Sequence, residues 1–112
     1  MEGNSMAKIY ATDGKLLVET PQIQIGDKLF AVDNRKSSYD AMQKAVNENI
    51  EKDSGISDED LIIKHTLGDK QFKEVKAMDL SVVGYMNLIM YIQASILDIT
   101  FEDAQKRFQG KI

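Results

Sequence analysis

Cysteine is absent from the 112 residues, which removes disulfides, thiolate metal sites and cysteine nucleophiles together. Nothing points to an oxidising compartment, so cytoplasm is the default expectation. Proline and histidine occur once each, as Pro21 and His65. A lone imidazole needs a nucleophile or an orienting carboxylate before it can act as a general base. In "IIKHTLG", His65 stands in the back half of a short helical stretch, where a histidine complements the negative end of the helix dipole.

Other signatures are missing as well. Basic residues are in deficit, with 14 Lys and Arg against 18 Asp and Glu, a net charge of −4. The cations are scattered among acids rather than gathered into a phosphate-binding face, so no nucleic-acid partner is expected. "IGDK" and "LGDK" lack the glycine spacings of phosphate-cradling loops, and "SDED" lacks the ligand order of a calcium loop. The chain is therefore expected not to be an enzyme. No catalytic residue, cofactor or metal ligand is assigned.

What the sequence does contain is alternation followed by helical periodicity. "KIYAT" and "KLLVET" flank Asp13-Gly14, and "QIQI" and "KLFAV" flank Gly26-Asp27, both turn signals between strand-like runs. Pro21 separates the two units, where its missing N–H harms no ladder. A small antiparallel sheet or a pair of hairpins follows, with Ile23, Ile25, Leu29 and Phe30 or Val32 facing a core. From Arg35 the spacing becomes helical. Tyr39, Met42, Ala45 or Val46, and Ile50 mark a helix from about residue 38 to 52, with Ser37 or Ser38 to cap it.

The chain is then heavily punctuated. Gly55 closes a polar loop. Ser57 with Asp60 reads as a capping box, Gly68 as a terminator, and Asp69 as the cap of a short helix carrying Phe72, Val75 and Met78 or Ala77 on one stripe. Ser81 caps "VVGYMNLIMYIQASILDI", residues 82–99, whose apolar side chains cover nearly the whole circumference. Such a helix is central to a core or shared with a partner. Asn87, Gln93, Ser95 and Asp98 interrupt it and cationic anchors are lacking, so no membrane span is expected. Thr100 with Asp103 caps a last helix, with Phe101, Ala104 and Phe108 at core spacing and Gly110 as its stop.

The expectation is an α+β chain, mostly α, with a small antiparallel β-hairpin region followed by about five helices, one of them long and apolar. Met1 to Ser5 reads as a cloning leftover, because Met6-Ala7-Lys8 looks more like a natural start. Residues 6–112 then form a single domain, with a β region over about 8–33 and a helical region over about 37–109. Methionine adapts to varied apolar partners. The candidate partner-binding residues are accordingly Phe72, Val75, Met78, Tyr85, Met86, Ile89, Met90 and Tyr91.

This order of elements resembles the tail-assembly chaperones of long-tailed bacteriophages of Gram-positive hosts. The matching positions are Leu67-Gly68, Phe72, Met78-Asp79-Leu80-Ser81, Tyr85-Met86 and "EDAQKRF" at 102–108, with "DKLFAVDNR" similar to the short β segment at the front. The resemblance covers roughly residues 23–109, and "KIYATDGKLLVETPQ" departs from it. It implies a holdase that binds the tape-measure protein in the host cytoplasm, without nucleotide, and keeps its apolar helices soluble. It also implies absence from the mature virion, possible homo-oligomers, and a frameshifted longer product, for which Gly110-Lys111 is a compatible place. The alternative is a structural or adaptor protein of the tail or virion. A helix-turn-helix regulator would need a basic recognition helix, whereas Lys70, Lys73 and Lys76 fall along a solvated face.

Overall fold

A computed structural model describes residues 7–16, 18–52 and 55–109. The elements are β1 (Gln22–Ile25), β2 (Lys28–Ala31), α1 (Lys36–Lys52), α2 (Asp58–Ala77), α3 (Val82–Leu97) and α4 (Phe101–Gln109). This is a small, mostly helical α+β architecture. The expected cloning leftover and the stop at Gly110 lie outside the described residues, as do the side chains of Ile50 and Phe108.

β1 and β2 form an antiparallel hairpin closed by Gly26-Asp27, with Ile23 opposite Phe30 and Gln24 opposite Leu29. Gly26 takes φ +64°, a conformation that glycine adopts without steric cost. The register settles which apolar residues are inside, because successive side chains point to opposite faces. Ile23, Ile25 and Phe30 share the inner face, and Val32 beyond the strand is fully buried. Leu29 falls on the outer face beside Gln24 and is 59% exposed, contrary to its expected place in the core.

The first turn signal behaves differently. Asp13 and Gly14 adopt positive φ, and the Lys15 N–H reaches the Thr12 carbonyl at 3.0 Å, so a tight turn is made. Yet no strand forms among the described residues of 7–20. Ile9, Tyr10, Leu16 and Val18 are all exposed. Among the described residues the expected first hairpin is reduced to its turn, because none of them covers its apolar side chains.

α1 begins two residues earlier than its serines suggest. Asp33 braces the approach to the helix: its carboxylate accepts from the Arg35 backbone N–H just ahead of α1, from the Arg35 guanidinium and from the Ser38 hydroxyl. Arg35 above all, then Ser38, holds the Asp33 carboxyl far below the usual carboxylate range. The helix packs on α2 and buries Met42, and Asn49 ties its far end to Ile56 and Asp58.

Among the described residues there are four helices, not about five. The two helices expected on either side of Gly68, up to Leu67 and over "KQFKEVKAM" after Asp69, share one element, α2, which is bent sharply at the expected stop, Gly68 (φ +86°, ψ 163°). That combination is open essentially to glycine alone. Its effect is large. Sixteen residues of straight helix would separate Asp60 from Lys76 by about 24 Å, yet their side chains meet at 3.3 Å. The chain has folded back on itself at one residue.

Ser57, Ser81 and Thr100 cap as the spacing implied, accepting from the backbone N–H of Asp60, Gly84 and Asp103 respectively. Three acids occupy the first turn of α2, where the helix dipole favours them. α3 is neither the longest helix nor buried all round. It has 16 residues against 17 in the unbroken α1, and Asp98 ends it in the left-handed conformation. Leu88, Ile89 and Ile92 join Phe30, Val32, Ile63, Leu67 and Val75 in the main core. Another face, with Met90 and Ala94, is covered by Ala104 of α4, which lies at 107° to α3. The breadth of its apolar surface is thus largely met within the chain. Val82, Val83, Tyr91 and the terminal Leu97 remain outside. No single helix among the described residues is long and apolar enough to cross a membrane.

One contact joins the hairpin to the bend. The Gln71 amide donates to the Ala31 carbonyl at 2.9 Å and accepts from the Ala31 N–H at 3.2 Å, while also donating to the Leu67 carbonyl. Asp33 N–H reaches the carbonyl of buried Thr66 at 2.8 Å. The hairpin is therefore anchored where α2 turns.

Candidate functional site: a cleft between α2 and α3

Folding α2 back brings its first turn beside its last, and the α2–α3 connection closes the third side. The result is an open cleft of about 360 Å³ lined by Ser57, Glu59, Asp60, Val75, Lys76, Asp79, Leu80, Val82, Tyr85 and Met86. Its walls are apolar, from Val75, Leu80, Val82, Met86 and the Tyr85 ring. Its rim carries three carboxylates and one ammonium.

The charged groups divide into two kinds. Asp60 is fully engaged: it accepts from the Tyr85 hydroxyl and pairs with Lys76, whose ammonium also lies 5.7 Å from the Tyr85 ring centre. Burial, then the Asp60 hydrogen bond and the charges of Asp60 and Glu59, push the Tyr85 hydroxyl above its ordinary range. The phenol keeps its proton across neutral pH and goes on donating to Asp60. Its stabilisation is complete below about pH 10, the unfolded value, and is lost as pH rises further. Glu59 and Asp79, by contrast, form no ion pair with any described residue.

The eight partner-binding candidates do not form one surface. Val75 and Ile89 are 0% and 1% exposed, and Met90 is buried against α4, so these three are core in the isolated chain. Phe72, Met78, Tyr85 and Met86 are half-buried around the main core. Tyr91 is exposed on another side, its ring tilted against Phe101 at 4.4 Å between centroids. Tyr85, Met86 and Val75 are the candidates that reach the cleft.

Leu80, Val82, Glu59, Asp60, Lys76 and Asp79 were not singled out by the sequence reading as partner-binding. The Ser81 cap carried a signal for where α3 starts but none for the exposure of Val82 and Val83, since a capped turn can lie inside or outside. The Asp60–Lys76 pairing carried none, since it depends on a fold-back at Gly68.

His65 is exposed near Asp33, Arg35 and Gln71, in a shallow depression beside the hairpin. No described side chain hydrogen-bonds to it. No family model, curated protein or solved structure matches the chain.

Proposed function

We propose that the protein is a non-catalytic binding protein of the tail-assembly chaperone kind, holding apolar helices of a phage tape-measure protein soluble in the host cytoplasm. The observation that carries this reading is the apolar cleft between α2 and α3, with Val82, 81% exposed, in its lining and Val83, 70% exposed, next in the chain. Helix-in-groove recognition uses such a surface, with apolar side chains of the client entering in i, i+4 order. The resemblance through residues 23–109 supports the same reading. The protein acts during assembly and is absent from the finished virion.

Co-expression with the tape-measure protein should raise that protein's soluble yield. His65→Ala should leave the gain intact, and the folded double variant Val82→Asp, Val83→Asp should lose most of it. A full gain from that double variant, with its helical content unchanged, would overturn the assignment of the surface.

A second reading is favoured by a different feature. Residues 7–20 expose Ile9, Tyr10, Leu16 and Val18 outside the region of resemblance, as an arm held by a structural or adaptor protein of the tail would do. Its peptides would then be found in purified virions by mass spectrometry, and under the chaperone reading they would not.

A further inference from the structure

We infer that the α2–α3 cleft selects a helix carrying a Lys or Arg within one turn of its apolar anchor. The inference rests on the binding reading above but not on which protein is the client. At about 360 Å³ the cleft is at the small end of ligand pockets, roughly 300–1,000 Å³, and it is open along one side. It suits one or two side chains projecting from a larger partner. Val75, Leu80, Val82 and Met86 give those side chains an apolar seat.

The rim decides the sign of the partner. The cleft's one cation, Lys76, is already spent on Asp60 and lies against Tyr85. Glu59 and Asp79 remain without counter-ions among the described residues. The Glu59 charge is felt inside the cleft, since it helps to raise the Tyr85 hydroxyl. An incoming ammonium or guanidinium therefore meets two uncompensated carboxylates, whereas an incoming carboxylate meets repulsion. Charge arranged in this way governs choice of partner and encounter rate more than raw affinity.

The test uses the full chain and two labelled synthetic helical peptides. Each has leucines at i and i+4 and differs only in lysines or glutamates beside them. Fluorescence anisotropy at low and high salt should give at least about tenfold tighter binding of the lysine peptide at low salt, with the gap narrowing as salt rises. The double variant Glu59→Gln, Asp79→Asn should abolish most of that preference. Asparagine tolerates the positive φ of Asp79, and glutamine suits a helix, so the fold is retained. Equal affinity for both peptides, no binding of either, or a preference unchanged in the double variant would each overturn the inference. If the double variant loses the preference yet still solubilises the tape-measure protein, the chaperone reading stands and charge selection does not govern that client. A lysine preference with no tape-measure effect reverses that outcome: the charge inference stands and the chaperone reading falls.

Discussion

Two segments of this chain start from the same local chemistry and end differently. Asp13-Gly14 and Gly26-Asp27 each make a tight turn with glycine at positive φ, between short apolar runs of similar length. Only the second becomes a ladder. Its inner face, Ile23, Ile25 and Phe30, lies on a core already built by α2 and α3, and Gln71 holds its end. The first has no such surface. An isolated two-stranded hairpin is marginal in water, so the difference lies in what the strands are packed against.

The comparison breaks most clearly at its buried aromatic. Phe30→Ala should cost about 3–5 kcal/mol, the usual penalty for emptying a core phenylalanine site. Tyr10→Ala, in the uncovered segment, should stay within about 0.5 kcal/mol. Urea titrations followed by circular dichroism separate the two. A cost above about 1 kcal/mol for Tyr10→Ala would mean that residues 7–20 are packed in solution.

A smaller effect is expected where the hairpin leaves for α1. Asp33 has a depressed pKa in the folded chain, so its stabilisation is complete above the unfolded value of about 3.9 and is lost as pH falls below it. Asp33→Asn should therefore cost about 1–2 kcal/mol at pH 7, on the scale of charge-assisted hydrogen bonds. The gap between variant and parent should narrow as pH drops from 4 towards 2. A constant gap across that interval would place the cause elsewhere than in the carboxylate's charge.

The smallest effect compares the two turns directly. An added Cβ meets nothing within 4 Å at Gly14 or Gly26, so alanine at either meets only the backbone penalty of positive φ. That penalty, about 1 kcal/mol, should appear in global stability for Gly26→Ala. For Gly14→Ala it should be nearly silent, because no ladder depends on that turn. Equal losses at both sites would show that the first turn also supports the fold.

Local signals were legible wherever a few neighbouring residues decide the outcome. Ser57, Ser81 and Thr100 cap because a hydroxyl needs only the N–H three residues on. Gly26-Asp27 turns for a similarly local reason. Long-range choices were not legible. Leu29 and Phe30 are equally apolar, and only the pairing register tells them apart. α3 looks apolar on too many sides until α4 is placed across it. The cleft was the least legible feature, since its walls come from residues 57–86 and its shape depends on the fold-back at Gly68. The apolar lining was partly anticipated through Val75, Tyr85 and Met86, whereas the charged rim was not.

The Gln71 side chain has a consequence for how this protein meets other chains. Antiparallel pairing alternates inward and outward backbone groups, so along β2 Leu29 and Ala31 direct theirs away from β1. Gln71 satisfies both groups of Ala31 as a neighbouring strand would, which closes that end of the edge to an incoming chain. Unpaired edges are templates for aggregation. Here a side chain stands where a third strand would lie, and sheet extension is steered to the opposite flank, along Gln22 and Gln24.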